Sequence, residues 1–455
     1  MATTYLTDTQ GTPTNNLKWT WSSWIKRGEL ATEGHSAVEN IFTTYVDASN
    51  LFYIRFEDTD EIYIRNIASV GTGGKLITNR VFRDPSAWYH VVVVYDSANA
   101  SAGDRMRLYV NGVEETSFSL DTNPDSSQVC TMNADTRVVE LGRRSDEVTN
   151  FTGILAHTHF CDGQAYAASD FGETDATSGI WIPITGPSVT YGNNGFFLKY
   201  AAGALGTDSS GESNDFVVSG TMTNTKDTPD NNFCTINPLD DYYQESTYSN
   251  GNTKVVTESG SAVYAFNTAT MGVSTGKWYW EVKYTNSTAG GAFMYGVAAE
   301  MATSASTELG QTANQIGLLN NDTTRTNDTA TAFGDGDYTT GDIMMCALDM
   351  TNSRIFFGKN GVWMTPSAGS GGDPTDGTGN VALPTAVAST PMGVYLPAFG
   401  PYVNASQTYE VNFGNGYFGT TLDGTNADDA GIGLFKYDVP AGYYALCTNN
   451  LGDQS

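Results

Sequence analysis

The chain is short of basic residues and of long apolar runs, and each shortage excludes a class of function. Its 455 residues include 22 Lys and Arg against 50 Asp and Glu, which gives a formal net charge of −28. Such a charge repels phosphates, so neither nucleic acid nor an anionic membrane surface is an expected partner. No segment approaches the roughly 18 consecutive apolar residues of a membrane span, and the opening MATTYLTDTQ lacks the features of a signal peptide. We therefore expect no membrane insertion and no ordinary secretion.

Cysteine and histidine are scarce as well. The five cysteines are Cys130, Cys161, Cys234, Cys346 and Cys447. They are dispersed, without the paired spacing of a zinc site or a disulfide framework, so we interpret them as small buried hydrophobes of a chain made in a reducing cytoplasm. The sequence contains no G-x-S-x-G, P-loop or C-x-x-C motif.

Glycine and aromatic residues are abundant instead. The chain has 49 Gly, 25 Tyr and 21 Phe but only 14 Pro, a composition typical of many short strands joined by tight turns. This predicts an all-β sandwich or barrel. Length alone leaves about three domains open, although two large sandwiches of ~200–250 residues fit as well.

One arrangement of strands occurs twice along the chain. WYHVVVVYD…RMRLYVNGVEE (88–115) and GDIMMCALDM…SRIFFGKNGVW (341–363) each contain an apolar strand, an acid, a polar loop, a second strand and an Asn-Gly turn. Asn-Gly between hydrophobic runs predicts a hairpin, because a type I′ turn needs two residues that tolerate positive φ. We therefore expect two β domains, over 1–218 and 253–455, with a polar connector over 219–252.

The first domain carries a recognisable series of motifs. W-T-W-S-S-W-I-K, W-Y-H-V-V-V-V-Y-D, R-L-Y-V-N-G, V-E-L-G and F-x-G-I-L follow one another over roughly the first two hundred residues. In this order they resemble the laminin-G-like branch of the concanavalin A-like lectin/glucanase sandwich. GTDSSGESNDF (206–216) is similar to a segment that commonly opens bacterial laminin-G-like domains, so here we expect a closing strand in a rearranged order.

The second domain carries another series. GKWYWEVKYT (276–285), YGVAAE, QIGLLNND, GDIMMCALDM, RIFFGKNGVW, YLPAFGPY and YEVNFG resemble the SPRY (B30.2) domain over about Val255 to Phe418. The connector DTPDNNFCTINPLD and the tail GLFKYDVPAGYYALCTNNL are similar to those of large virion-surface proteins of marine tailed bacteriophages, which combine the two domain types. These resemblances imply an all-β chain with two antiparallel β-sandwich (jelly-roll, concanavalin A-like) domains in tandem.

A fold shared with glucanases requires a search for paired carboxylates. The nearest arrangement, Glu57-Asp58-Thr59-Asp60-Glu61, falls at a hairpin tip instead of along one strand, so we interpret it as a solvated turn and expect no glycanase. His157 and His159 share one strand face and could seat a metal with a third ligand, although two polar positions on an open face explain them better. His90 lies in the Val-rich strand and is interpreted as a core or rim histidine.

Calcium is the one cofactor that the resemblance implies, since laminin-G-like domains often hold it with loop oxygens. The candidate ligands are Asp208, Asn214 and Asp215. The alternative is an Asx-rich turn whose side chains cap their own backbone.

Ligand binding is expected from aromatic side chains on loops of the second domain. SPRY-like domains bind partners through loops at one end of the sandwich, and Tyr338, Trp363 and Tyr402 match such loops. The alternative for each residue is that it covers an end of the core. On the first interpretation the second domain carries the binding loops and the first domain positions it.

The sequence thus predicts a non-enzymatic protein of the virion surface, as a tail fibre, tail spike or head decoration. The expected partners are other virion proteins and a host-surface glycan or protein, and we expect a homo-oligomer, with a trimer as the first guess. Two alternatives stay open, a carbohydrate-active hydrolase and a purely architectural virion protein.

Overall fold

The computed structural model describes residues 4–28, 30, 38–71, 73–147, 150–257, 263–287, 293–334, 337–402 and 406–454. The chain divides into two compact units, Met1–Asn224 and Thr225–Ser455. Both are built from antiparallel sheets, so the predicted fold class is confirmed. In the described parts of the chain, no helix is both long enough and apolar enough to cross a bilayer.

The described residues of the first unit form sixteen strands. They are β1 (Tyr5–Thr9), β2 (Lys18–Arg27), β3 (Glu39–Asp47), β4 (Asn50–Phe56), β5 (Glu61–Ile67), β6 (Lys75–Val81), β7 (Trp88–Asp96), β8 (Met106–Val110), β9 (Val113–Glu114), β10 (Phe118–Thr122), β11 (Val138–Leu141), β12 (Gly153–Asp162), β13 (Gly172–Thr174), β14 (Trp181–Pro183), β15 (Phe196–Leu198) and β16 (Val217–Ser219). Short 3₁₀ helices cover Ala102–Asp104 and Ala168–Asp170.

These strands form a sandwich. The larger sheet has the order β10-β6-β5-β4-β3-β11-β1-β16 and the smaller one the order β15-β12-β2-β7-β8-β9. Trp19 and Trp21 of β2 meet Phe52 and Phe42 of the larger sheet, with ring centroids 5.2 and 5.7 Å apart, so the core lies between the two sheets. The closing strand is β16, which begins directly after the 206–216 segment and pairs with β1.

In the described part of the second unit there are nineteen strands and one short helix. They are β17 (Thr247–Ser249), β18 (Lys254–Val256), β19 (Asn267–Thr268), β20 (Lys277–Ser287), β21 (Phe293–Ala298), β22 (Gln315–Leu319), β23 (Thr323–Thr326), β24 (Thr329–Ala332), β25 (Ile343–Asp349), β26 (Arg354–Lys359), β27 (Val362–Trp363), β28 (Val381–Ala382), β29 (Leu396–Pro401), β30 (Gln407–Asn412), β31 (Tyr417–Phe418), β32 (Thr421–Leu422), β33 (Asn426–Ala427), β34 (Leu434–Phe435), β35 (Tyr444–Ala445) and α1 (Thr448–Asp453). A 3₁₀ turn covers Val387–Ser389.

This unit is also a sandwich. One sheet runs β17-β18-β30-β20-β25-β26-β27, and the other runs β19-β29-β21-β22-β23-β24. Their shared core includes Trp278, Trp280, Tyr295, Phe357 and Phe399, all nearly inaccessible to solvent.

The expected connector over 219–252 is not a free linker. From Thr225 onward the chain belongs to the second unit, where Phe233, Cys234 and Ile236 are fully buried. Its Thr, Asn and Asp content favoured a linker, but three apolar side chains enter the core between those polar residues. The 219–252 boundary prediction is corrected accordingly.

The repeated strand arrangement gives equivalent hairpins. Asn111 Oδ1 accepts a hydrogen bond from His90 N at 2.8 Å, and Asn360 Oδ1 accepts one from Ile343 N at 2.9 Å. Both asparagines have positive φ, 49° and 51°, as a type I′ turn requires. The two predicted hairpins are confirmed, β7–β8 in one unit and β25–β26 in the other.

In each unit a later segment covers the outer face of the sheet that contains this hairpin. In the first unit, residues 163–195 (the first covering segment) place Phe171 and Tyr191 against Val92 and Val94. The second unit uses residues 423–447 (the second covering segment), which place Phe435, Tyr443 and Ala445 against Tyr279 and Phe356 of β20 and β26. The outer face of the opposite, larger sheet of the first unit differs, because tyrosine and arginine alternate on it in β4 and β5.

Candidate functional site

Tyr338, the first predicted ligand-binding residue, is a core residue. Its side chain is 2% exposed, its phenol donates a hydrogen bond to the Phe293 carbonyl, and its ring centroid lies 5.5 Å from that of Tyr295. The polar residues around it in FGDGDYTTGD predicted an exposed loop, but the carbonyl acceptor allows the whole ring to be buried. This burial favours the alternative, that Tyr338 covers an end of the core, and its role in binding stays an untested prediction.

Trp363 and Tyr402 are half-buried, and each packs in a different hydrophobic cluster. The Trp363 ring lies 6.1 Å from Tyr279, in the cluster beneath the second covering segment. Tyr402 packs against Ala398 and Met294, with its ring centroid 5.1 Å from the Arg325 guanidinium carbon. Both retain exposed surface, so their predicted role in binding stays a prediction.

The predicted calcium ligands form a hydrogen-bonded turn. Asp208 Oδ1 accepts from the backbone N of Phe197 and Ser210, both at 2.8 Å, and Oδ2 accepts from Ser210 Oγ at 2.7 Å and Asn214 N at 3.0 Å. Asn214 Nδ2 donates to the Gly195 carbonyl, and Asp215 Oδ1 accepts from Asp208 N.

A calcium ion does not fit this arrangement, because it would have to replace donors that hold the turn. Within the described ranges, no group of three or more His, Cys, Asp or Glu side chains is placed to hold a metal. The geometry favours the Asx-rich turn.

The acidic run at 57–61 is not a solvated turn throughout. Asp60 is 1% exposed and pairs with Arg27 at 2.8 Å and with Arg83 at 2.8 Å. Arg27, also buried, binds Glu39 at 2.9 Å, and burial raises the pKa of Glu39 despite this partner. The cluster is a closed structural ion network, and the prediction of a solvated turn is corrected at Asp60.

Ser22 and His90 lie in contact on the outer face of the smaller sheet, with Ser22 Oγ 2.8 Å from His90 Nε2. The other ring nitrogen, Nδ1, accepts a hydrogen bond from the Trp181 indole at 3.0 Å. Indole only donates, so neutral His90 carries its proton on Nε2 and donates to Ser22. Burial lowers the pKa of His90 to about 3, which keeps the ring neutral. In this tautomer His90 cannot take a proton from Ser22, and the pair instead ties Trp181 of the first covering segment to the sheet.

The other two strand histidines are separated by an irregularity. The pairing of β12 with β2 shifts between Ala156 and His159, and His157 has a φ of 48°, so the two do not follow a regular i,i+2 pattern. His159 is buried, with Nδ1 2.9 Å from the Tyr191 hydroxyl and its ring 3.9 Å from that of Phe197. Through Tyr191, His159 also holds the first covering segment against the sheet.

The larger sheet of the first unit presents tyrosine and arginine on its outer face. In β4 and β5 the residues Phe52, Ile54, Ile62 and Ile64 enter the core, so those between them lie on the opposite face. The register sets Tyr53 opposite Arg65 and Arg55 opposite Tyr63. We call this surface the Tyr/Arg face, and its members are Tyr45, Tyr53, Arg55, Tyr63, Arg65 and Arg144.

The rings and guanidinium groups of this face are stacked. The Arg55 guanidinium carbon lies 4.4 Å from the Tyr53 ring centroid and 5.5 Å from that of Tyr63, and Arg144 lies 5.4 Å from Tyr53 on the same face. Burial lowers the pKa of Arg65, but the neighbouring Tyr53 and Tyr63 phenols outweigh this effect, so that its pKa is raised. Tyr53 is buried beneath its neighbours, while Tyr63, Arg65 and Tyr45 are half-buried and present their polar ends.

A cleft of about 440 Å³ lies on the same face near the sheet edge. Its lining residues are Tyr5, Thr7, Asp8, Thr9, Val138, Arg143 and Val217. The Arg143 guanidinium carbon lies 3.3 Å from the Tyr5 ring centroid, and Arg143 also pairs with Glu140 at 2.7 Å. Burial raises the pKa of Asp8, with the nearby Asp208 and Asp215 carboxylates adding to the effect. We call this feature the edge cleft.

Comparison with protein families agrees with both sandwiches. The model of the concanavalin A-like lectin/glucanases superfamily matches residues 2–168, and that of the SPRY domain matches residues 277–416. The chain carries a concanavalin A-like domain followed by a SPRY domain. The Tyr/Arg face and the edge cleft belong to the concanavalin A-like domain, and Trp363 and Tyr402 to the SPRY domain.

Solved structures similar to the chain at low identity include SPRY domains and a pentraxin. The SPRY domain of human HERC1 is 18% identical over 39% of this chain and 96% of its own, with a TM-score of 0.29. The heptameric SAP-like pentraxin of Limulus polyphemus is 14% identical over 48% of this chain and 89% of its own, with a TM-score of 0.30. A human SPRY domain is 15% identical over 36% of this chain and 93% of its own, with a TM-score of 0.26. No curated protein matches the chain.

The alternation of Tyr and Arg was visible in the sequence as FYIRFED and EIYIRN. This alternation predicts a half-buried hairpin, but it does not give the cross-strand register. That register depends on the turn between β4 and β5, where Glu57 N bonds to Glu61 O at 2.9 Å. With this register, tyrosine rings and arginine guanidinium groups form one preformed surface on the concanavalin A-like domain.

Proposed function

We propose that this chain is a non-enzymatic attachment protein on the surface of a tailed bacteriophage virion, and that it binds a host-surface glycan or protein. The Tyr/Arg face carries the proposal. Tyrosine and arginine are among the residue types that dominate binding energy at interfaces, and here they alternate between neighbouring strands.

The chemistry of the face suits a polyhydroxylated ligand. The half-buried Tyr63 ring and the Tyr5 ring of the edge cleft offer apolar surface to C–H groups of a sugar. The guanidinium of Arg65 presents a planar set of donors that matches paired oxygens. Because these side chains stand on paired strands and stack on one another, little side-chain entropy remains to be lost on binding. The edge cleft has a volume within the range of small-molecule sites.

The virion part of the proposal is supported by the two segments that resemble phage proteins. Residues 227–240 and 433–451 are distant in sequence, yet Cys234 N bonds to the Leu446 carbonyl at 2.9 Å and Thr448 N to the Asn232 carbonyl at 2.9 Å. The two segments are therefore one structural feature of the SPRY domain. This favours a common origin for both resemblances over two chance matches.

The non-enzymatic part is supported by the side chains that could have been catalytic. Asp60 is neutralised by Arg27 and Arg83, and Ser22 accepts a hydrogen bond from His90, which therefore cannot act as a base toward it. Both arrangements serve to hold the fold.

The test uses the full chain in two measurements. Antibody labelling of purified phage particles should place the protein on the outside of the virion. Binding of fluorescent protein to host cells and to a glycan array should fall at least tenfold with Tyr63→Ala, in line with hot-spot losses of about 2 kcal/mol.

Tyr242→Ala is the matched control, since Tyr242 is an 83% exposed tyrosine of the SPRY domain. Its binding should equal that of the unchanged chain. Binding that survives Tyr63→Ala but is lost with Trp363→Ala would return the role to the SPRY loops. Surface labelling without any host binding would favour the architectural protein, and turnover of the glycan would favour the hydrolase.

A further inference from the structure

An open sheet edge in the SPRY domain is shaped to pair with another strand. β23 and β24 form a hairpin in which Asn327 and Asp328 both have positive φ, 48° and 57°, so the turn is of type I′. β24 is the last strand of its sheet, and all four of its residues, Thr329 to Ala332, are exposed.

The register fixes which backbone groups face outward. In such a hairpin the pair that closes the turn, here Thr326 and Thr329, is hydrogen-bonded, and hydrogen-bonded pairs then alternate along the ladder. The bond from Phe333 N to the Asp322 carbonyl, at 2.7 Å, agrees with this phase. The N–H and C=O groups of Ala330 and Ala332 therefore point away from β23, toward the open edge.

Two other sheet edges of the described chain, β9 and β10, carry features that discourage pairing. β10 has a register irregularity between Phe118 and Leu120 and carries Asp121. β9 has two residues and includes Glu114. β24 has four residues in regular register and carries neither a charge nor a proline. Exposed edge strands of natural proteins usually carry a charge, a proline or a bulge that prevents pairing with another chain.

We propose that β24 pairs antiparallel with β24 of a second copy of this chain, about a two-fold axis at Thr331. The strand itself favours this occupant, because a second copy presents the same small, uncharged Thr-Ala alternation in matching register. A chain of net charge −28 repels its own copies over most of its surface, but β24 is uncharged. In this register Ala330 lies opposite Ala332 of the second copy, and the two Asp328 carboxylates are about 20 Å apart. That distance exceeds the Debye length of about 8 Å in physiological salt, so their repulsion is screened. An isologous dimer of this kind goes beyond the proposed function, which a monomer could equally perform, and it replaces the expected trimer at this edge.

The test is a disulfide across the axis in the full chain. Two Thr331 residues opposite each other would form a non-hydrogen-bonded pair with Cα atoms about 4.5 Å apart, within the range of disulfides. The native cysteines are all buried, so they give no background. Thr331→Cys should form a covalent dimer under mild oxidation. Thr329→Cys, whose two copies would lie about 13 Å apart, is the matched control and should not.

A second measurement needs no new cysteine. Sedimentation of the unchanged chain should show a dimer. Ala330→Pro removes an outward N–H that the hairpin does not use, so it should leave the fold intact and shift the protein to monomer, whereas Ala330→Thr should keep the dimer. A monomer at all accessible concentrations, a trimer, or equal cross-linking at positions 329 and 331 would overturn the proposal. Host binding by a monomer would leave the proposed function standing.

Discussion

The two sandwiches share a strand frame and differ in what holds their covering segments. Lys18 pairs with Asp96 at the start of β2, and Lys277 with Asp349 at the start of β20, and each lysine opens a K-W-x-W strand. The side chain four residues after the lysine lies on the outer face, beneath the covering segment. That residue is Ser22 in the concanavalin A-like domain and Glu281 in the SPRY domain.

These two positions use different chemistry for the same task. Ser22 contacts His90, which in turn accepts from the Trp181 indole, so the first covering segment is held through side chains. Glu281 is fully buried and accepts from the backbone N of Lys436 at 2.9 Å and of Tyr437 at 2.8 Å, so the second is held by its main chain. The position in the strand places Ser22 and Glu281 on the outer face of their sheets. The type of residue then decides how many hydrogen bonds hold the covering segment.

The largest difference between the described ends of β2 and β20 is the buried ion network at the end of β2. Arg27, nine residues after Lys18, is 1% exposed between Glu39 and Asp60, whereas the residue nine after Lys277 is the exposed Asn286. Arg27→Met should lower the free energy of unfolding by about 3–5 kcal/mol, because two buried carboxylates lose their cation. Urea denaturation of the full chain measures this.

Arg83→Met is the control for this prediction. Its side chain is 60% exposed although it binds the same Asp60, so its loss should cost less than about 1 kcal/mol. Equal losses for the two arginines would mean that burial does not set the strength of this network.

The hydrogen bonds that hold the two covering segments should also differ in strength. Glu281→Ala leaves two buried N–H groups and the Tyr279 hydroxyl without their acceptor, which should cost about 3 kcal/mol, while Ser22→Ala removes one hydrogen bond, worth about 1 kcal/mol. Hydrogen exchange should rise across 423–447 in the first variant more than across 163–195 in the second. Equal effects would contradict the comparison, and Glu281→Gln, which keeps one acceptor, should fall between them.

The pH dependence of the two domains should have opposite signs at these sites. Burial lowers the pKa of His90 to about 3 from 6.5, so its contribution to stability is present at neutral pH and is lost as the pH falls below 6.5. Burial raises the pKa of Glu281 to about 7 from 4.5, so its contribution is present below pH 4.5 and is lost as the pH rises to 7. Between pH 5 and 6.5 each group changes the free energy of unfolding by roughly 2 kcal/mol, in opposite directions.

Variants separate these two groups from all others. On going from pH 6.5 to pH 5, His90→Asn should lose less stability than the unchanged chain, because the destabilising component is removed, and Glu281→Gln should lose more, because the stabilising component is removed. Other titrating groups, such as Glu39, are the same in all three proteins and cancel in the differences. Slopes unchanged by both substitutions would refute the assignment.

Sequence alone predicted the parts of the fold that local chemistry decides. Asn111 and Asn360 predicted both hairpins, because positive φ is a property of the turn itself. The order of the motifs predicted both domain types. Trp363 and Tyr402 remain open predictions for binding.

Contacts between distant residues decided what the sequence could not give. Tyr338 is buried because its hydroxyl reaches the Phe293 carbonyl, 45 residues away. Asp60 is buried because Arg27, 33 residues away, neutralises it. The Tyr/Arg face could not be predicted without the register of β4 and β5, because the register decides whether a tyrosine lies opposite an arginine or opposite another tyrosine.

The smallest expected effect concerns calcium in the concanavalin A-like domain. Both Asp208 oxygens already accept two hydrogen bonds from the chain, so an ion has to break as many contacts as it makes. Thermal melts in calcium and in chelator should therefore coincide, and Asp208→Ala should lower the melting temperature equally in both. A bound ion at a hundredfold excess over its Kd would instead stabilise the folded chain by about 2.7 kcal/mol. Asp175 is a matched control, because its Oδ1 also accepts from backbone N–H groups of its own turn, those of Thr177 and Ser178. A calcium-dependent shift that vanishes in Asp208→Ala but persists in Asp175→Ala would restore the calcium site.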